Sequence, residues 1–87
     1  MLSSAADQFQ ITESAANRFY FNKPGQPYSS LSEACKGAND TATAKINILC
    51  KDAGGIPKGV SKRALEVSHD SLLSDYCGVK LEIDCEL

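Results

Sequence analysis

The residue types that could carry out acid–base or nucleophilic chemistry occur in two short stretches. One is 68–71, which contains serine, histidine and aspartate, and the other is the carboxylate row Glu82, Asp84 and Glu86. A Ser-His-Asp triad is assembled in space, whereas neighbours along a strand point to opposite faces. Paired catalytic carboxylates need a cleft, which an exposed strand does not provide. We therefore expect no enzyme activity. A small hydrolase or ribonuclease that uses His69 is the least favoured of the three functions considered for this chain.

The four cysteines offer a second kind of chemistry, either metal binding or disulfide formation. Zinc sites contain closely spaced ligand pairs, but this chain has no C-x-x-C pair and only one histidine. Four cysteines in 87 residues are typical of small secreted domains, whose cores are too small to be stable without cross-links. We predict one secreted domain, 1–87, without metal or cofactor, and with two disulfides formed by Cys35, Cys50, Cys77 and Cys85.

Charge and hydropathy argue against two classes of partner. The chain has 9 Lys and Arg against 11 Asp and Glu, a net charge of −2, whereas nucleic-acid binding requires clustered basic residues. No apolar run is long enough to cross a membrane. The start, Met-Leu-Ser-Ser-Ala-Ala-Asp-Gln, lacks the basic and apolar regions of a signal peptide, so we expect any such signal to have been removed.

The last stretch of the chain is predicted to be a strand. From Cys77 to Leu87, apolar residues alternate with other residues, which is typical of a strand with one buried face. In a strand the two cysteines of this stretch lie roughly 26 Å apart on that face. The other face, with Lys80, Glu82, Asp84 and Glu86, is predicted to be the solvated face of an edge strand.

The stretch with the other two cysteines is predicted to be a helix over 30–53. Ser30-Leu31-Ser32-Glu33 matches a capping box, apolar residues follow at steps of three and four, and Gly54-Gly55 supplies a stop. Cys35 and Cys50 then lie about 22 Å apart on nearly the same helical face. Because this span matches that of the strand cysteines, we expect the helix to lie along the strand, joined to it near both ends.

Two alternatives to a continuous helix stay open. Apart from Ala38, the residues from Gly37 to Thr41 are poor helix formers, so one alternative is a helix that is kinked or split in two there. Residues 43–51 also alternate, as a strand would, although the longer apolar stripe and the two capped ends favour a helix. Asn39-Asp40-Thr41 is an N-glycosylation sequon, which a break in the helix would accommodate better.

The other segments carry weaker signals. Residues 8–22 are predicted to form either a hairpin or one long strand bent at 15–17, from which Tyr20 faces outward. Pro24-Gly25 is expected to end this element. Leu65 and Val67 alternate with small or polar residues, as in a half-buried strand, and a helix over 61–76 accepts the same residues. Asp70 is a suitable N-cap for a short helix that Gly78 would close.

The order of these elements resembles the small secreted killer toxins of smut fungi and the killer-toxin-like effectors of plant-pathogenic fungi. The resemblance covers Phe19 to Cys85 and rests on a helix bearing Ser-Glu-Ala-Cys, on Cys50, on Leu-Ser-Asp-Tyr-Cys and on a last strand ending Ile-Asp-Cys. It implies an α+β fold, a βαββαβ sandwich with helices packed on one face of an antiparallel sheet. Mapped onto this chain, the strands are 17–22, 56–60, 63–69 and 79–87, and the helices are 30–53 and 70–77.

The resemblance also implies a disulfide pairing. In such a sandwich the first helix and the last strand both run antiparallel to the first strand, so they point the same way. Like ends therefore meet, which predicts the pairs Cys35–Cys77 and Cys50–Cys85.

The implied function is that of a secreted fungal protein that binds an extracellular host or competitor target. We expect a monomer whose contacts come from residues outside the core, namely Tyr20, Tyr28, Lys58, Lys62 and Arg63. Lys62-Arg63 is also the kind of dibasic pair that secretory proteases cut, unless it is simply part of a solvated loop. A secreted inhibitor of a hydrolase is the second alternative, with an exposed loop at 23–28 or 54–62.

Overall fold

The computed structural model describes residues 8–69 and 72–87. It contains, in chain order, β1 (Gln8–Tyr20), α1 (Leu31–Asp52), β2 (Ile56–His69) and β3 (Ser74–Glu86). The strands form one antiparallel sheet in the order β1-β3-β2, so the last strand of the chain lies in its centre. The helix packs on one face of this sheet, mainly over β1 and β3. The small α+β architecture is therefore the predicted one.

Both ends of α1 have their backbone groups satisfied by local residues. The Ser30 side chain accepts a hydrogen bond from the Glu33 N–H at 3.2 Å. At the other end the Gly54 N–H donates to the Lys51 carbonyl and the Gly55 N–H donates to the Cys50 carbonyl, both at 2.9 Å. This is a Schellman motif, and it requires the positive φ of 84° at Gly54.

The helix is uninterrupted between these two ends. Gly37 to Thr41 neither kinks nor splits it into two helices, and residues 43–51 are helical and not a strand. Asn39 is half-buried in the middle of α1, where its carbonyl accepts a hydrogen bond from the Thr43 hydroxyl at 2.8 Å. The helix break that would best accommodate a glycosylation site at Asn39 is therefore absent.

The core is a thin layer between α1 and β3. α1 buries one side chain in every four, and β3 buries every second side chain, as predicted for its apolar face. Because most of the buried helix positions are alanine, the helix backbone can lie close to the sheet. The buried positions are Ala34, Ala38, Ala42, Ile46 and Cys50 in α1, and Cys77, Val79, Leu81, Ile83 and Cys85 in β3.

Two disulfides join α1 to β3 at both ends of this layer. Cys35 is bonded to Cys77 and Cys50 to Cys85, with Cα–Cα distances of 5.3 and 5.7 Å. These are the predicted pairs. The helix and the central strand therefore run in the same direction.

The prediction of a second helix over 70–77 is wrong for residues 72–77, which are the residues of this range that the structure describes. Residues 74–77 belong to β3, where Ser74 pairs with Tyr20, and Tyr76 pairs with Arg18 on one side and Ser68 on the other. Backbone partners on both sides outweigh the weak local preference for a helical turn. The predicted N-cap, Asp70, lies outside the described residues. In place of the βαββαβ sandwich, the described residues form a βαββ arrangement with one helix.

The predicted strands also differ in extent. Residues 17–20 of the strand expected over 17–22 are the end of one longer strand, β1, whereas residues 21 and 22 lie beyond it. The strands expected over 56–60 and 63–69 are parts of a single strand, β2. The register of β2 shifts at Lys58 and again at Ser61, so each is the extra residue of a β-bulge. β3 is hydrogen-bonded on both sides, so the prediction that it is an edge strand is wrong.

Candidate functional site

A cleft at one end of the sheet brings aromatic and cationic side chains together. It lies where β1 ends and the following loop returns toward α1, and it has a volume of about 360 Å³. All three tyrosines of the chain line it. We call it the tyrosine cleft, and define it by Arg18, Tyr20, Lys23, Tyr28 and Tyr76.

Neighbouring strands supply the part of the cleft formed by Arg18 and Tyr76. These two residues are paired in register on β1 and β3, and the Arg18 guanidinium carbon lies 5.7 Å from the centroid of the Tyr76 ring. This is within the range of a cation–π contact. The Tyr76 ring lies over Gly78, where an added Cβ would come within 2.7 Å of the Tyr76 hydroxyl. The glycine thus allows the ring to lie against the sheet.

Gln26 fixes the loop 23–28, which lines the side of the cleft next to the end of β1. Its side-chain oxygen accepts a hydrogen bond from the Tyr20 N–H at 3.0 Å. Its side-chain nitrogen donates to the carbonyls of Tyr20, at 2.6 Å, and of Lys23, at 3.2 Å. The amide thereby binds Tyr20 as a neighbouring strand would. The Lys23 ammonium lies 4.7 Å from the centroid of the Tyr20 ring.

Tyr28 reaches the cleft from the helix side because α1 has a glycine there. A Cβ at Gly37 would lie 2.8 Å from a Tyr28 ring carbon and 3.0 Å from the Asn17 side-chain nitrogen. The same nitrogen donates a hydrogen bond to the Ala34 carbonyl at 3.1 Å, which joins β1 to the first turns of α1. Gly37, interpreted from the sequence only as a weak point in the helix, is needed for this close approach.

Replacing Gln26 with alanine should release the loop from β1. Two carbonyls and one N–H lose their partner, so we expect the free energy of unfolding to fall by about 1–3 kcal/mol. Amide hydrogen exchange at Tyr20 should accelerate strongly, while exchange at Ile46 in the core should change only as far as global stability does. Unchanged protection of the Tyr20 amide would contradict the role given to Gln26.

The residues predicted to bind a partner fall into two separate groups. The cleft contains Tyr20 and Tyr28, and Lys58, Lys62 and Arg63 lie on β2. Lys58 forms an ion pair with Glu86 at 3.4 Å. The predictions of an exposed loop over 54–62 and of a solvated loop around Lys62-Arg63 are wrong for residues 56–63, because these residues are paired with β3. The dibasic pair thus lies inside a strand, with Lys62 opposite Glu82 and Arg63 opposite Leu81.

His69 has a carboxylate partner, which is Asp75 on β3. Its Nδ1 lies 2.7 Å from the Asp75 carboxylate across the strand pair, and its ring stacks on Phe21 with centroids 5.9 Å apart. Its side chain is 63% exposed and does not line the tyrosine cleft. Ser68 points to the opposite face of β2, and Ser71 lies outside the described residues. The stretch 68–71 thus does not form a triad among the described side chains.

Sequence reasoning missed two contributors to the cleft, Arg18 and Tyr76, and it included Lys23 and Gln26 only as part of the candidate loop 23–28. Tyr76 was assigned to a helix, so its place beside Arg18 could not be foreseen. The signal for Gln26 was its position between Pro24-Gly25 and Pro27, where a long amide side chain can reach back to the strand that the turn leaves.

Comparisons with protein-family models, with curated proteins and with solved structures find no match for this chain. Within 8–69 and 72–87, no helix is both long and apolar enough to cross a membrane. Over the same residues, no three histidine, cysteine, aspartate or glutamate side chains are grouped so that they could hold a metal ion. The tyrosine cleft is therefore the candidate functional site of the described surface.

Proposed function

We propose that this chain is a secreted, effector-like or toxin-like binding protein that contacts its target through the tyrosine cleft. The observation that carries the proposal is the assembly of three tyrosines with Arg18 and Lys23 in one concave site. Tyrosine and arginine are among the residue types that contribute most to binding energy at protein interfaces. A tyrosine offers a large contact area with an apolar ring and a polar end, and it has only two torsions to fix on binding.

The surroundings of the cleft favour recognition because they hold its walls in place before binding. Gln26 fixes the loop next to Tyr20. The Cys35–Cys77 disulfide joins α1 to β3 at the residue that follows Tyr76. A preorganised surface loses less conformational entropy on binding, which leaves more of the contact energy as affinity.

Secretion, fungal origin and a non-enzymatic mode of action are parts of the same proposal. Two disulfides in a small domain are typical of proteins that work in an oxidising, extracellular environment. The cysteine framework resembles that of killer-toxin-like effectors over Phe19 to Cys85. The target is then an extracellular protein or surface of a host or competitor, and the protein acts on it as a monomer.

The test compares a cleft variant with a matched control in affinity capture from host extracellular fluid. Tyr20→Ala removes a ring from the cleft, and Phe9→Ala removes a partly exposed ring from the other end of β1. We expect Tyr20→Ala to reduce recovery of the target by roughly tenfold or more, as loss of a hot-spot residue does, with a nearly unchanged melting temperature. Phe9→Ala should retain the target, and the reduced and alkylated protein should not.

Two outcomes would overturn this proposal. Equal capture by the wild type and Tyr20→Ala would remove the cleft from the interface. Loss of biological activity in a correctly folded His69→Ala protein, with Tyr20→Ala fully active, would favour the hydrolase or ribonuclease alternative, in which Asp75 orients the imidazole.

A secreted inhibitor of a hydrolase is the second candidate, favoured by the way Gln26 fixes the loop 23–28. A fixed, exposed loop is the feature that such inhibitors present to an enzyme. In that case the captured target is a hydrolase, its activity falls when the protein is added, and Gln26→Ala weakens the inhibition.

A further inference from the structure

The two outer edges of the sheet differ in how their outward backbone groups are bonded. Along β1, side chains bind backbone groups that point away from the sheet: Gln26 binds Tyr20, and the Lys45 ammonium donates to the Ser14 carbonyl at 3.0 Å. β2 is the strand at the other edge. Within the described part of the chain, no strand pairs with its outer side, and no side chain bonds to the outward backbone groups of residues 63–67.

The hydrogen-bonding pattern shows which residues of β2 carry these outward groups. The Phe21 N–H donates to the Leu73 carbonyl, so the odd-numbered residues of β3 bond to β1. The even-numbered residues of β3 therefore bond to β2, where their partners include Ala64 and Glu66. Because bonding direction alternates along a strand, the N–H and carbonyl of Arg63, Leu65 and Val67 point outward.

These same residues also carry side chains that the helix does not cover. They lie on the face of the sheet where α1 packs, but α1 sits mainly over β1 and β3. Leu65 is 60% exposed and Val67 is 51% exposed. Bonding backbone groups and apolar side chains thus coincide along one edge, which is the combination that pairs with a further strand.

The first half of β2 does not present a regular edge of this kind. It contains Pro57, Gly59 and the two bulges at Lys58 and Ser61, and these are features by which natural proteins keep edge strands from pairing. Residues 63–69 are regular and contain neither proline nor glycine. We call residues 63–69 the free edge.

The size of the free edge favours a peptide over a second copy of this chain. Two copies paired over 63–69 would share a strip roughly 23 Å long and one sheet layer, about 10 Å, thick. That is far below the ~800 Å² per partner that a stable interface buries. An extended peptide needs no larger surface, since its backbone hydrogen bonds supply much of the affinity.

We propose that the free edge binds an extended segment of another protein, which adds to β2 as a fourth, antiparallel strand. The charges and side chains of the edge define the peptide. It carries a carboxylate opposite Arg63, which has no ion-pair partner among the described residues, and apolar side chains opposite Leu65 and Val67. On the other face it carries a basic residue opposite Glu66. This site is separate from the tyrosine cleft and does not depend on the function proposed for it.

The probe is a synthetic peptide, acetyl-Thr-Thr-Val-Lys-Val-Thr-Glu-amide, measured by NMR titration. Run antiparallel to 63–69, it places its valines opposite Val67 and Leu65, its lysine opposite Glu66 and its glutamate opposite Arg63. N-methylation of both valines removes N–H groups that face β2, whereas N-methylation of the lysine removes one that faces solvent. We expect the first change to weaken binding at least about tenfold and the second to have little effect. Equal affinity of all three peptides, or no saturable binding, would overturn the proposal.

Variants of the protein complete the test. Arg63→Glu should weaken binding of the probe, and a probe with lysine in place of glutamate should restore it. Leu65→Lys should also weaken binding, whereas Leu72→Lys should not, since Leu72 is an 89% exposed leucine outside the free edge. Tyr20→Ala should bind the probe as the wild type does. Loss of probe binding in Tyr20→Ala would place the peptide in the cleft and overturn the assignment to β2.

Discussion

Replacing Cys50 and Cys85 together with alanine is expected to lower the free energy of unfolding by about 2–5 kcal/mol. The disulfide joins residues 35 positions apart, and without it the unfolded chain regains the conformational entropy that this closed loop removes. Both cysteines are fully buried, so the change to alanine also leaves unfilled space at the end of the core. Urea denaturation measures the difference when the wild type and the variant are each extrapolated with their own m-value, since the unfolded variant exposes more surface.

The other disulfide provides an internal comparison. Cys35 and Cys77 are 42 positions apart, so the logarithmic dependence on loop length predicts a difference of only ~0.2 kcal/mol in the entropic contribution. Glu82→Ala is the control, because its half-exposed side chain lies on the face without a helix, and it should change stability by no more than about 0.5 kcal/mol. A loss in Glu82→Ala as large as that of a disulfide would contradict this account of the core.

The features predicted correctly are those that depend on residues close together in the chain or on a simple parity. The helix could be delimited because Ser30 and Glu33 form a cap and Gly54 ends the last turn. Cys77 and Cys85 share the parity of the apolar residues of β3, so both could be placed on the buried face. Gly55 shows where such reasoning ends. An added Cβ there would lie 2.5 Å from the Cys85 sulfur, a tertiary restriction that the Gly-Gly stop signal does not contain.

The errors concern pairing between distant segments. The sequence predicts a short helix over 70–77, but pairing with β1 and β2 on either side makes Ser74 to Cys77 a strand. The same error concealed the tyrosine cleft, because a helical Tyr76 would not lie beside Arg18. The alternation at Leu65 and Val67 was identified correctly as a strand, but it cannot show that the single helix leaves that strand uncovered.

A single isoleucine is expected to account for much of the packing between helix and sheet. Ile46 is 1% exposed and is the one large aliphatic side chain among the buried positions of α1, where its buried neighbours are alanines and a cysteine. Ile46→Ala should therefore lower the free energy of unfolding by about 2–5 kcal/mol, since the fixed disulfides at both ends limit how far the helix can move to fill the cavity.

The same helix contains a matched control for that change. Ile48 is 59% exposed, so Ile48→Ala makes the same substitution without opening a cavity. Both variants replace a β-branched residue with alanine, the best helix former. The resulting gain in helix propensity, up to about 0.5 kcal/mol, is the same in both and cancels in the comparison. Ile48→Ala should thus be neutral or slightly stabilising by urea denaturation. Similar stabilities of the two variants would show that α1 is held against the sheet by its disulfides and not by the packing of Ile46 against β3.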